Sequence, residues 1–335
     1  MWGIPVLLVA LFGISAFADE SLLIFPEDAR ELPSEGFETR IVSGWPAQPG
    51  QLPHQLSIRM VNSAGSVSSC GASLVHQQWG ISAAHCTAQR TTLVIRAGTV
   101  NLTRPNMIFE ATQMFNHPDF NENFPTIVQP HDISLIRFQS PLDFNSVIQP
   151  IRIQRHEDRD RNYNGVQMVA SGWGRTWTNG NATEILNWVY LTGVTNQRCS
   201  SLFGGSWIIQ DSTICAGGYN DTTQNPCQGD SGGPLTVLEK DGKTTLVGVT
   251  SFVSGRGCHA DLPAGFVRPG HYHAWFTQVT GIDFDWDSDS DENSTDDPYS
   301  SDSNSSSESN SDTDEESSFE KGVPNANGEV FGWLH

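Results

Sequence analysis

Basic residues are scarce in this chain: 18 lysines and arginines stand against 38 aspartates and glutamates, a formal net charge of −20 over 335 residues. That balance is repelled by phosphate and excludes nucleic acid as a partner. Cysteine is sparse as well, and none of the six falls in a Cys-x-x-Cys spacing. No metal site is therefore expected. After residue 18 no apolar run reaches the roughly 20 residues that a bilayer span needs, so no membrane insertion is expected.

Residues 1–18 are almost wholly apolar and close on Ala16-Phe17-Ala18, a small-x-small cleavage pattern, although no Lys or Arg precedes them. This reads as a signal peptide, and the mature protein is expected to be secreted and extracellular. In an exported chain six cysteines fit three disulfides, whose connectivity spacing alone leaves open. The charge is unevenly placed. Residues 41–282 hold fifteen acids and fifteen bases, residues 19–40 seven acids and two arginines, and residues 283–335 sixteen acids and one lysine. The central unit is thus near neutral and the excess lies in its flanks.

Within 41–282 the pattern is one of short apolar or alternating runs, such as Gln55–Ile58, Leu93–Ile95, Gln167–Ala170 and Leu246–Val249, separated by Gly, Pro, Asn and Asp. Many short strands in a sandwich or barrel are expected. Residues 283–335 repeat Ser and Asp and cannot bury enough apolar surface to fold, so this tail is expected to be disordered, available to divalent cations or to basic surfaces. Sequons occur at Asn101, Asn181, Asn220, Asn293 and Asn304; the first four are candidate glycosylation sites in a secreted chain, while the one at Asn304 is read as a chance occurrence in a Ser-rich tail.

The chemistry lies in three motifs. Gly229-Asp230-Ser231-Gly232-Gly233-Pro234 places a serine among glycines, where its hydroxyl is uncrowded and backbone N–H groups turn toward one point at which an oxyanion could sit. Ser82-Ala83-Ala84-His85-Cys86 supplies the base such a hydroxyl needs. His131-Asp132-Ile133-Ser134-Leu135-Ile136 supplies a carboxylate opening an apolar stretch, placed to orient the imidazole. Taken singly, the first is commonly a turn and the second commonly structural; the conjunction points to nucleophilic catalysis. The remaining histidines, His131 among them, lack such flanks and read as surface or packing residues.

The order His85, Asp132, Ser231, with these flanks, resembles the chymotrypsin-like serine peptidases, from about Ile41 to about Ile282. The resemblance implies an all-β fold of two packed six-stranded antiparallel barrels with a short C-terminal helix near His273–Val279. It implies disulfides Cys70–Cys86, Cys199–Cys215 and Cys227–Cys258. It implies an oxyanion hole from the N–H groups of Gly229 and Ser231. Arg40-Ile41-Val42-Ser43-Gly44 is similar to the family's activation junction, which makes 19–40 a propeptide and pairs the new amino group of Ile41 with Asp230 after the cut. By its offsets from these motifs the resemblance also implies Asn225 at the floor of the specificity pocket, with Ser251, Val253 and Ala264 along its walls. A neutral amide does not favour basic P1 residues, and Val253 narrows the mouth; small or medium apolar P1 residues are expected, aromatic ones next. The implied partners are protein or peptide substrates, an activating trypsin-like peptidase and protein inhibitors, with no cofactor. The alternative is a catalytically inactive homologue serving as a binding or matrix-associated module.

Overall fold

Short apolar and alternating runs, interrupted by turn residues, build the regular structure of the described residues mainly from antiparallel strands. The computed structural model describes residues 23–26, 44–176, 181–219, 224–258 and 260–286. The expected signal peptide, the Arg40-Ile41 junction, the sequons at Asn220, Asn293 and Asn304 and the chain beyond Trp286 lie outside these residues.

Two short strands come first, β1 (Leu23–Ile24) and β2 (Trp45–Pro46). The first barrel comprises β3 (Gln55–Asn62), β4 (Val67–His76), β5 (Trp79–Ser82), β6 (Arg90–Ala97), β7 (Met107–Ala111), β8 (Gln113–Asn116) and β9 (Ser134–Arg137). Its strands run in the order β7-β6-β3-β4-β5-β9-β8. Only Thr112 separates β7 from β8, so the two edges of this sheet are successive pieces of one strand. Leu56, Ile58 and Met60 occupy alternate positions of β3 and are fully buried with Leu74, Ile81, Leu93 and Ile95, as the two-residue repeat of a strand requires.

After a two-residue strand β10 (Arg152–Ile153), the second barrel comprises β11 (Gln167–Gly172), β12 (Asn187–Val194), β13 (Thr213–Gly218), β14 (Pro234–Leu238), β15 (Thr244–Ser254) and β16 (Ala264–Val267). The pairings β11–β12, β12–β13, β13–β16, β16–β15, β15–β14 and β14–β11 close a ring with no free edge. Met168, Leu191, Ile214, Leu235, Val247 and Phe266 fill it.

Helices are few. The one-turn α1 (Ala84–Thr87) follows β5, and α2 (Asn196–Leu202) is capped by the Thr195 hydroxyl accepting from the Arg198 N–H at 3.2 Å. A 3₁₀ turn at Pro269–Tyr272 leads into α3 (His273–Thr280), which buries Trp275 and Phe276 in the core of the first barrel. The chain stays packed beyond the expected start of the tail at Asp283. Phe284 meets Phe276 edge-on, the Trp286 indole N–H donates to the Ile153 carbonyl at 2.8 Å, and the guanidinium of Arg152 lies 3.9 Å from the Trp286 ring. Folded structure therefore continues four residues past Ile282, because two aromatics interrupt the acidic run just where it leaves the helix.

His54 is buried ahead of β3, and burial pushes its imidazole pKa down from 6.5 to about 4. Between those values the unfolded chain takes up a proton that the folded chain refuses. Stability is thus fully present above about pH 6.5 and falls as pH drops toward 4, by at most roughly 3 kcal/mol from this group. His54→Gln removes this titration, so the drop in thermal midpoint between pH 7 and pH 4.5 should be smaller in the variant than in the wild type. An unchanged drop would show that His54 does not titrate in this way.

Candidate active site

A carboxylate with no exposed surface sits where the two barrels meet. Asp132, two residues before β9, accepts the His85 backbone N–H on Oδ1 at 2.8 Å, His85 Nδ1–H on Oδ2 at 2.7 Å and the Ser251 hydroxyl on Oδ2 at 2.6 Å. Three donors answer the desolvation of this charge. Because Nδ1 is committed as the donor, the hydrogen-bond network assigns the imidazole lone pair to Nε2. His85 is carried by α1, which the Cys70–Cys86 disulfide ties to β4.

Ser231 lies in the loop before β14. Gly229 and Gly232 on its two sides take φ values of +97° and +73°, in the left-handed region that favours glycine. A Cβ at Gly232 would collide with the Ser82 hydroxyl and the Gly71 carbonyl. The loop is hydrogen-bonded to β4 of the first barrel and β15 of the second: the Gly71 N–H donates to the Ser231 carbonyl at 2.7 Å, and the Gly232 N–H to the Thr250 carbonyl at 2.8 Å. Ser231 itself is buried, and its hydroxyl has no hydrogen-bond partner among the described residues.

The preceding Asp230 is buried too. Its carboxylate accepts the backbone N–H groups of Gly174 at 2.8 Å and Cys227 at 2.9 Å, and it borders a small cavity lined by Ala170, Gly172, Asn187, Val189 and Thr250.

The expected pocket residues lie on the loop before Cys227 and on β15 and β16. Asn225 is buried and donates through Nδ2 to the carbonyls of Leu262 at 3.0 Å and Ala260 at 3.4 Å, which leaves the amide oxygen as its acceptor. Val253 and Ala264 are buried, and Ala264 pairs with Ala216 across β13 and β16. The Cys227–Cys258 bridge joins the Ser231 loop to this wall, and Cys199–Cys215 anchors α2 to β13. The Ser251 hydroxyl is engaged by Asp132, so this side chain belongs to the carboxylate cage and leaves only its backbone to face a bound peptide.

His131 does not compete for the role of His85. Its ring stacks on His117 with centroids 5.0 Å apart, and its Nδ1 meets the Tyr272 hydroxyl at 3.2 Å. His273 is buried with Nε2 at 2.7 Å from the Gln154 carbonyl, also a packing role. Asn181 is exposed and Asn101 half-buried. One participant was missed in the sequence: Phe25, from the segment ahead of Arg40, stacks on the His85 ring with centroids 3.8 Å apart and planes at 18°. Its only signal is the apolar run Leu22-Leu23-Ile24-Phe25 inside an otherwise acidic stretch.

The family model described as Trypsin matches residues 41–276. The chain is 32% identical over 247 residues to a collagenase of Hypoderma lineatum, covering 74% of this chain and 90% of that protein. It is 31% identical over 262 residues to chymotrypsin-like elastase family member 1 of Homo sapiens, covering 77% of this chain and 98% of that one. Among solved structures, HL collagenase superimposes with a TM-score of 0.63 at 33% identity, over 72% of this chain and 98% of that chain.

The Asp132 cage yields a stability test. Ser251→Ala deletes one donor to a buried charge, and thermodynamic stability should fall by about 1.5–3 kcal/mol in denaturant titration. A variant as stable as the wild type would mean that this hydroxyl does not hold the carboxylate.

Proposed function

This chain belongs to the trypsin family and is a serine endopeptidase, and on that premise we propose that it is a secreted zymogen whose catalytic residues are His85, Asp132 and Ser231. The observation that carries the assignment is the 2.7 Å contact between His85 Nδ1 and the buried Asp132 carboxylate, beside the Ser231 loop. In the proposed reaction Ser231 Oγ attacks the scissile carbonyl while His85 Nε2 takes its proton. The N–H groups of Gly229 and Ser231 stabilise the oxyanion, Asp132 stabilises the imidazolium, and His85 then protonates the leaving amine. Water hydrolyses the acyl-enzyme by the same steps in reverse roles. No cofactor enters. A carboxylate held by three donors and oriented on one imidazole nitrogen supports this reading over an inactive binding homologue.

Activation is proposed to follow the cut after Arg40 by a trypsin-like peptidase, with the amino group of Ile41 pairing with Asp230. Supporting this, the Asp230 carboxylate lies beside a cavity, and a charge pair formed there would fix the Ser231 loop. Asn225, Val253 and Ala264 are proposed to favour small or medium apolar P1 residues; the elastase name of one relative agrees with a narrow pocket mouth. The acidic tail is proposed to engage cations or basic surfaces, and Asn101, Asn181, Asn220 and Asn293 to carry glycans.

The test is a digest of a P1-diverse peptide library by the chain cut after Arg40, with Val253→Gly alongside. The wild type should prefer small or medium apolar P1 residues, and the glycine variant should gain at least about tenfold in relative kcat/KM for Phe at P1. Cleavage after Lys or Arg, or a profile untouched by Val253→Gly, would refute the pocket assignment. No cleavage of any peptide by the cut wild type would refute the proposed catalytic residues.

A further inference from the structure

In the uncut chain the residues that must meet a substrate are covered. Ser231 has no exposed surface, His85 is 7% exposed and Val253 is 2% exposed. Part of the cover is the chain's own segment Leu23–Pro26. Its strand β1 lies antiparallel to the end of β15, with Leu23 opposite Ser254 and Ile24 opposite Val253. The next residue, Phe25, lies flat on the His85 ring. Leu23 and Phe25 are themselves buried, at 4% and 2% exposure, in an apolar cluster with Val128, Phe203, Ile208 and Phe252.

This placement has three physical consequences. Backbone pairing fixes the segment in the groove as an added strand, and the side chains facing the cluster supply the affinity. An aromatic ring on His85 occupies the approach a substrate would need to reach the imidazole. Pro26, also buried, has no N–H, so the segment cannot continue its ladder with a backbone donor at the position after Phe25. A peptide so seated is held like a substrate but lacks one of the bonds that would align it for attack.

We infer that Leu23–Pro26 is a tethered occupant of the substrate groove, an inhibitor built into the chain that the cut after Arg40 frees. The inference rests on the peptidase reading above and adds a second lock to it, a groove that is physically filled. Residues 19–40 contain no cysteine, and all six cysteines are paired between positions 70 and 258, so no disulfide retains the segment after that cut. While joined, it faces the groove at an effective concentration of order millimolar; once cut, it is diluted to its bulk concentration. The groove it fills is apolar, with an aromatic preference at the position over His85.

The test uses a synthetic peptide of residues 19–30 and the same peptide with Phe25→Ala. Binding is read by fluorescence anisotropy on the full chain carrying Ser231→Ala and cut after Arg40, and inhibition is read on the cut wild type. The native peptide should bind with Kd below about 1 mM, the tether's effective concentration, and inhibit competitively with a small peptide substrate. Phe25→Ala should weaken both by about tenfold or more. Binding weaker than 1 mM, equal binding of the two peptides, non-competitive inhibition or rapid cleavage of the native peptide would each overturn the inference. The Ser231→Ala arm reads binding even if the cut wild type hydrolyses nothing, so failure of the peptidase reading and failure of this one are told apart.

Discussion

The buried carboxylate of Asp132 is the constraint on which the rest of this structure depends. A charge with no exposed surface is tolerable only when its lone pairs are filled, and no single element here supplies the donors. The first barrel brings His85, through both its backbone and its ring, and the second brings the Ser251 hydroxyl from β15. Docking of the barrels and orientation of the imidazole are thereby one event. A barrel displaced by an ångström or two would lose a donor to a buried charge as well as the geometry of a reaction.

A second buried carboxylate extends the same logic to the Ser231 loop. Asp230 is held by the Gly174 and Cys227 amides, Gly232 fits against Ser82 and Gly71 because it has no side chain, and the Cys227–Cys258 bridge ties the loop to the pocket wall. The site is thus assembled from loops pinned at barrel ends. Strands provide the rigidity, and loops provide the groups that act. Segment Leu23–Pro26 uses the same scaffold, adding a strand to β15 where that strand leaves the barrel.

What was legible in the sequence was what is local or periodic. Short apolar or alternating runs mark β3, β6, β11 and β15, the residues flanking His85 and Ser231 mark the two loops, and the family resemblance supplies the disulfide pairs that the structure forms. What was not legible depends on contacts between distant residues. Ser251 and Asp132 are 119 positions apart, and nothing near Ser251 distinguishes a hydroxyl that faces a carboxylate from one that lines a pocket. The pairing of Leu23 with Ser254 spans still more chain, and an apolar run in an acidic leader looks the same whether it is docked or free. Phe284 and Trp286 do not stand out in an acidic tail because composition averages over a window, whereas two aromatics are enough to hold four residues on a surface.

Ser231, activated through His85 by Asp132, is the proposed nucleophile. Its most direct measurement is the site of acylation-like modification: the full chain, cut after Arg40, is treated with a fluorophosphonate and the adduct is located by peptide mass spectrometry. A single adduct on Ser231 is expected, formed far more slowly when His85 is replaced by alanine. An adduct on another serine, or labelling of equal rate and extent in Ser231→Ala, would contradict it.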